Sequence, residues 1–252
     1  MILKVTDLSK SFPIENMDSQ QVLKNIELTI NKGEFVSIMG ASGSGKSTLL
    51  YTISGMMQPS SGTVEFAGEQ LAMLTEEQLT NIRLNKMGFV FQQANLLKNF
   101  NLKDNIILSA YLESKESQKE IDKRAEQLMK QTGVYQLASK DITQASGGQL
   151  QRVSICRALI NEPEIIFGDE PTGALNSKSA FEIMQLFNAI NQKGTTILLV
   201  THDPKVASKT ERILFMSDGE LISEMYLGKM QDESLLKERE EQVARWLREL
   251  DF

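Results

Sequence analysis

Residues 40–48 read Gly40-Ala41-Ser42-Gly43-Ser44-Gly45-Lys46-Ser47-Thr48, which fits the spacing G-x-x-x-x-G-K-[ST] of a phosphate-binding loop. Phosphates need donors close to the main chain with no side chain in the way. Gly40, Gly43 and Gly45 allow a tight turn and a close approach, and successive N–H groups then form a concave anion nest. Lys46 supplies a positive charge for the β- and γ-phosphates, and the Ser47 hydroxyl is placed to hold Mg²⁺. The flanks agree. Residues 34–39, Glu-Phe-Val-Ser-Ile-Met, predict a buried strand. Residues 48–54 predict a helix whose N-terminal dipole favours an anion.

Upstream, residues 2–7 alternate and predict a strand, 13–21 are polar and read as a loop, and 22–30 alternate again. Phe12 follows the first strand and is either a partly buried hydrophobe or an aromatic plate for a nucleotide base. Downstream, 63–66 and 88–91 predict strands. Thr75-Glu76-Glu77-Gln78 opens a helix with a cap and early acids. The second of these strands runs straight into Gln92-Gln93. From Asn101 to about Thr143 a charged helical pattern takes over, with Ile121, Ala125 and Leu128 on one face and Gly133 as a C-cap. This is a helical insert in an otherwise α/β chain.

Ser146-Gly147-Gly148-Gln149 opens the next helix. The same residues serve a second phosphate nest or an ordinary capping turn. Cys156, inside that helix, reads as a small core residue. Residues 164–168 are an apolar strand that ends in Asp169-Glu170. Adjacent carboxylates at a buried strand's tip suit a metal ligand beside Ser47 and a group that orients or deprotonates water. Residues 177–190 predict an amphipathic helix and 195–200 a buried strand followed by His202, the one histidine. In open α/β sheets ligands gather at such strand ends. Residues 212–222 form a hairpin. Residues 232–250 form a charged helix with Leu236, Val243, Trp246, Leu247 and Leu250 in one stripe. That stripe packs either on its own domain or on a partner.

The whole chain bounds the reading. Its 252 residues are 41% hydrophobic and 24% charged, with a net charge of −6, which argues against a nucleic-acid partner. One cysteine precludes an intrachain disulfide and fits a reducing cytosol. The opening residues lack the apolar run of a signal peptide. No stretch reaches the ~20 apolar residues of a membrane helix.

Together these pieces resemble the ATP-binding cassette (ABC) ATPases of membrane transporters over residues 1–222, with six elements in the family's order. Gly40 to Thr48 is similar to the Walker A motif and Gln92 to the Q-loop glutamine. Ser146 to Gln149 is similar to the signature motif, Asp169 and Glu170 to Walker B with its catalytic glutamate, and His202 to the switch histidine. Phe12 falls where the family places an adenine-stacking aromatic. Two positions depart from the pattern. Ala145 stands where leucine usually precedes the signature serine, and Asn176 stands where the D-loop carries aspartate.

The resemblance implies an α/β fold: a RecA-like P-loop NTPase core with an antiparallel β subdomain and an inserted α-helical subdomain. The ATPase domain spans 1–228, with its core in 1–91 and 160–228 and the helical subdomain at about 92–159. A helical extension covers 229–252. It implies ATP hydrolysis with Glu170, His202, Gln92 and Lys46 as catalytic residues. ATP would be held by Phe12, Gly40, Ala41, Ser42, Gly43, Ser44, Gly45, Lys46, Ser47 and Thr48, and in trans by Ser146, Gly147, Gly148 and Gln149 of a second copy. Mg²⁺ would fall to Ser47, Gln92 and Asp169. The implied partners are a transmembrane permease, a second copy of the chain and, through the permease, a sensor kinase. The implied location is peripheral, on the cytoplasmic face of the cell membrane. The long loop before Val22, residues 89–97 and residues 172–178 resemble the branch that serves lipoprotein release, macrolide efflux and antimicrobial-peptide resistance, and residues 51–55 with the extended C-terminal helix resemble its peptide-resistance members. Non-transport ABC ATPases of DNA repair or translation, or a signalling or division-scaffold role, are the alternatives. The first of these more often carries a coiled-coil insert, paired cassettes or a basic face, none of which is visible.

Overall fold

Strand β3 (Phe35–Met39), buried along its whole length, lies at the heart of the larger of two sheets. The structure is a computed structural model that describes residues 1–14, 17–112, 116–230 and 232–252. Strands β1 (Leu3–Ile14) and β2 (Met17–Ile30) form an antiparallel hairpin. After β3 come helix α1 (Lys46–Ile53), strands β4 (Ser61–Phe66) and β5 (Glu69–Gln70), helix α2 (Glu76–Lys86) and strand β6 (Met87–Phe91). Helices α3 (Leu102–Tyr111), α4 (Gln118–Gln131) and α5 (Gly147–Leu159) follow. The chain then alternates through β7 (Ile165–Asp169), α6 (Ser177–Gln192), β8 (Thr196–Thr201) and α7 (Pro204–Ala207). It ends in β9 (Arg212–Ser217), β10 (Glu220–Tyr226) and α8 (Leu236–Glu249).

The small antiparallel sheet has the order β2-β1-β4-β5. The large one has the order β10-β9-β3-β8-β7-β6, parallel except for β10. One core joins them: Leu3, Leu23 and Phe66 from the small sheet, Ile38, Phe167 and Leu198 from the large, and Leu49, Leu50 and Ile53 from α1. Each such side chain contributes about 1.5–3 kcal/mol by leaving water. Helices α3, α4 and α5 build their own core from Leu102, Ile106, Ile121, Ala125, Met129, Val153 and Cys156. The other face of α5 packs Ile155 onto Ile166 and Ile183.

The expected loop at 13–21 is corrected. Apart from Glu15 and Asn16, which lie outside the described residues, the stretch is strand, with Phe12 opposite Gln20 and Ile14 opposite Met17. Register shifts along β1 let a polar, uneven sequence stay paired, because backbone hydrogen bonds and not side-chain alternation hold it. The helix expected near 232–250 forms, and of its two readings the intramolecular one is observed. Val243 and Leu247 are buried, Trp246 meets Phe215 edge-on at 6.0 Å, and Trp246 Nε1 donates to Ser223 Oγ at 3.2 Å. Arg239 anchors the helix by donating to the carbonyls of Ser208, Thr210, Leu227 and Gly228.

Candidate nucleotide site

Parallel register brings four strand ends into one row. Met39 pairs with Thr201, Val200 with Asp169, and Asp169 with Phe91. The residues that follow these ends are Gly40, His202, Glu170 and Gln92. Segments far apart in sequence therefore leave the sheet side by side at its C-terminal edge, where α/β sheets place ligands.

The loop after β3 is shaped by its glycines. A Cβ on Gly40 would stand 2.1 Å from the Met216 carbonyl oxygen of β9, so only glycine fits that approach. Gly45 caps α1 in the left-handed region at φ +102°. Ser42, Gly43, Gly45, Lys46, Ser47 and Thr48, with Val22 and Glu170, line an open groove of about 220 Å³. Lys46 Nζ donates to the carbonyls of Gly40 (2.9 Å) and Ala41 (2.7 Å). Burial lowers its pKa, and the charges of Glu170 and Asp169 pull it back up. The buried Ser44 hydroxyl has no hydrogen-bond partner.

Asp169 is tied to helix α1 behind the loop. Its Oδ1 accepts from Ser47 Oγ at 2.8 Å and its Oδ2 from the Tyr51 hydroxyl at 2.5 Å. Burial first, then the Asp169 hydrogen bond and charge, raise the Tyr51 pKa. The paired Ser47 and Asp169 oxygens are hard donors of the kind Mg²⁺ takes. Among the described residues no cluster of three or more His, Cys, Asp or Glu accompanies them. Glu170 adopts a left-handed φ of +46° as the chain leaves β7. Its Oε1 lies 2.9 Å from His202 Nδ1. Gln92 joins them: a Cβ on Gly173 would meet Gln92 Nε2 at 3.0 Å and Glu170 Oε2 at 3.2 Å.

Ser146 and its neighbours lie elsewhere. Ser146 is the N-cap of α5 in a reciprocal box with Gln149, which occupies the Gln149 side chain in local capping. A second groove of about 350 Å³ is lined by Gly133, Ser146, Gly148, Gln149, Arg152, Ser179 and Glu182. It shares no lining residue with the first. Gly147 sits at the first position of α5, against Leu175. The helix is tied back to the Gln92 segment: Gln151 donates to the Phe91 carbonyl, and Arg157 donates to those of Ala94 and Asn95.

Phe12 stands half-buried on β1 with the Lys10 ammonium 5.1 Å from its ring centre, and Val22 is the hairpin residue that lines the groove. Sequence reasoning missed the roles of Val22 and Tyr51. Tyr51 lies one helical turn past Ser47, and that i, i+4 spacing was the available signal. Val22 left none, because its place depends on long-range packing.

A family model described as ABC transporter matches residues 23–173. The bacitracin export ATP-binding protein BceA of Halalkalibacterium halodurans is 41% identical over 238 residues, 94% of this chain and 93% of that protein. The macrolide export ATP-binding/permease protein MacB of Campylobacter jejuni is 42% identical over 223 residues, which cover 88% of this chain and 35% of MacB. The dimeric, post-hydrolysis structure of the ATP-binding cassette MJ0796, bound to ADP and Pi, superposes with a TM-score of 0.84 at 40% identity. It covers 91% of this chain and 100% of that one. A phosphate loop, two strand-tip carboxylates and a histidine on one sheet edge, joined to likeness over nearly the whole chain, establish that the protein belongs to the ABC transporter family as an ATP-binding ATPase subunit.

Proposed function

We propose that two copies of the chain close head to tail around two ATP molecules and drive a separate transmembrane permease that exports or detaches antimicrobial peptides or similar amphiphiles. The observation that carries this reading is the separation of the two grooves. The P-loop residues, Gln92, Asp169, Glu170 and His202 share one sheet edge. Ser146, Gly148 and Gln149 face another groove, so each site is completed by the partner's Ser146 and Gly148. The dimeric state of the MJ0796 relative supports the same arrangement.

In each site Gly40 to Thr48 would hold the phosphates, with Lys46 turning its charge from the Gly40 and Ala41 carbonyls to them, and Phe12 would stack on the adenine. Ser47, Asp169 and Gln92 would hold Mg²⁺, which neutralises charge on the β- and γ-phosphates. Glu170 would orient or deprotonate the attacking water. His202, on Glu170 through Nδ1, would present its other ring nitrogen to the γ-phosphate. Loss of that phosphate removes the contacts that bridge the copies, so binding closes the pair and hydrolysis reopens it. The helical lobe at about 92–159 would carry the partner-facing signature, with 229–252 as an extension packed on the core.

Among the described residues no helix is long and apolar enough to cross a membrane. The proposed permease supplies the span and holds the chain on the cytoplasmic face, with a sensor kinase reached through it. MacB's name joins an ATP-binding part and a permease in one protein, which supports such a partner. The peptide reading rests on the bacitracin export relative, matched nearly end to end. The macrolide relative favours a second reading, in which the cargo is a small drug.

Glu170→Gln tests the reading. Nucleotide binding is expected to persist while turnover falls by about 100-fold or more, and an ATP-dependent dimer accumulates on size-exclusion chromatography. Pulled down from native membranes with ATP and Mg²⁺, this variant is expected to bring a permease with it. Parent-rate hydrolysis would remove Glu170 from its role, and capture of no membrane protein would sink the transport reading.

A further inference from the structure

Asp169 is held at both carboxylate oxygens by donors from a single helix. Ser47 and Tyr51 lie one turn apart on α1. The first reaches Oδ1 and the second Oδ2. A carboxylate gripped once can rotate about its Cβ–Cγ bond. Gripped at both oxygens it cannot, and Oδ1 stays aimed at Ser47. The Tyr51 ring is itself set at one side. It packs on the core around α1, and its centroid lies 6.5 Å from that of Phe91, the residue before Gln92. Phe91 stacks with Phe89, and Phe89 with Phe167 of β7. The phenol is thus braced by the two strands whose ends carry Gln92 and Asp169. Loss of a ligand-orienting hydrogen bond of this kind lowers metal affinity by about 10- to 100-fold.

We propose that Tyr51 is a positioning residue: its hydroxyl clamps Asp169 Oδ2 and pre-sets the Ser47–Asp169 oxygen pair to receive the Mg²⁺ of Mg-ATP. This rests on the proposed assignment of that pair as the metal ligands. The clamp does not touch nucleotide, so it acts on the metal dependence of binding and not on the phosphate cradle.

The test uses the full chain, trinitrophenyl-ATP as a fluorescent probe, and Mg²⁺ titrated from zero. Tyr51→Phe keeps the ring against Phe91 and removes only the donor. Its affinity for the probe without Mg²⁺ should equal the parent's, and the Mg²⁺ concentration at half-effect should rise about 10-fold. Tyr51→Leu, which removes the donor and the ring together, should raise it at least as far. Ser47→Ala serves as reference for loss of a ligand. If Ser47→Ala shifts the Mg²⁺ dependence and Tyr51→Phe does not, the clamp is wrong while the site stands. If neither variant shifts it, the metal-ligand assignment falls and takes the clamp with it. A loss of metal-free probe affinity in Tyr51→Phe would overturn the proposal in favour of a purely structural phenol.

Discussion

Cys156 lies fully buried on α5, and burial pushes its thiol up from the ordinary 9.0 to about 12, against the smaller opposing effects of the Thr132 hydroxyl and the Arg152 charge. The thiolate is the reactive form, so the native chain is expected to be inert toward a chromogenic disulfide reagent at pH 8 and to react fully once unfolded in denaturant. Because the folded pKa lies above the unfolded one, this group's contribution to stability is complete below about pH 9 and is lost as pH rises toward 12. Urea midpoints across that window should fall more steeply for the parent than for Cys156→Ala. Burial lowers the Lys46 pKa against the charges of Glu170 and Asp169, which favour its charged form, and its ammonium donates to the Gly40 and Ala41 carbonyls. The carbonyls it touches are replaceable by phosphate.

At the scale of elements, helix termini do double work. Asn176 departs from the family's aspartate, and it is the N-cap of α6, where its Oδ1 accepts from the Ser179 N–H at 2.9 Å. Asparagine and aspartate cap about equally well. Asn176→Asp is therefore expected to keep α6 and to gain about 0.3–1 kcal/mol from a negative charge at the helix N-terminus, read as a small rise in Tm. We further propose that the charge missing at Asn176 weakens communication between the two sites of the pair, which predicts in addition a changed Hill coefficient for ATP hydrolysis in Asn176→Asp. Unchanged kinetics with a raised Tm would confine Asn176 to capping. Helix α5 shows the same economy: one turn carries the Ser146–Gln149 cap, and later turns grip the Gln92 segment through Gln151 and Arg157.

At the scale of the whole molecule, the two grooves do not meet within one chain, and complementation follows from that. Lys46→Ala removes the positive charge that would face the phosphates from one half of each proposed site. Ser146→Asp keeps the α5 cap, since aspartate caps well, but sets a negative charge against the γ-phosphate. Each variant alone should be inactive. Mixed, they form pairs in which one of the two sites joins the intact P-loop of one copy to the intact signature of the other. Recovery of up to about a quarter of parent ATPase activity is expected in a two-fold head-to-tail pair. No recovery on mixing would place all the chemistry within one chain.

Much of this protein was legible before any fold was drawn. Gly40 to Thr48, the carboxylates after an apolar strand, the capping turns at Thr75 and Ser146, and the helical stretch from Asn101 all announce themselves locally. Backbone conformation, hydrophobic period and cap chemistry act over a few residues, and those are written in order along the chain. The tertiary structure decided what depends on distance across the sheet. The β1–β2 pairing that takes in residues 13–14 and 17–21 is stabilised by partners that an uneven polar sequence does not advertise. The return of α8 onto Phe215 settled its stripe on its own domain, the default reading, and not on a partner. The meeting of Gln92, Glu170 and His202, the use of Val22 as a groove wall and the double grip on Asp169 follow from strand order β9-β3-β8-β7-β6 and its register. Contacts between residues tens or hundreds of positions apart are set by how sheets and helices pack together, and no local window of sequence contains that.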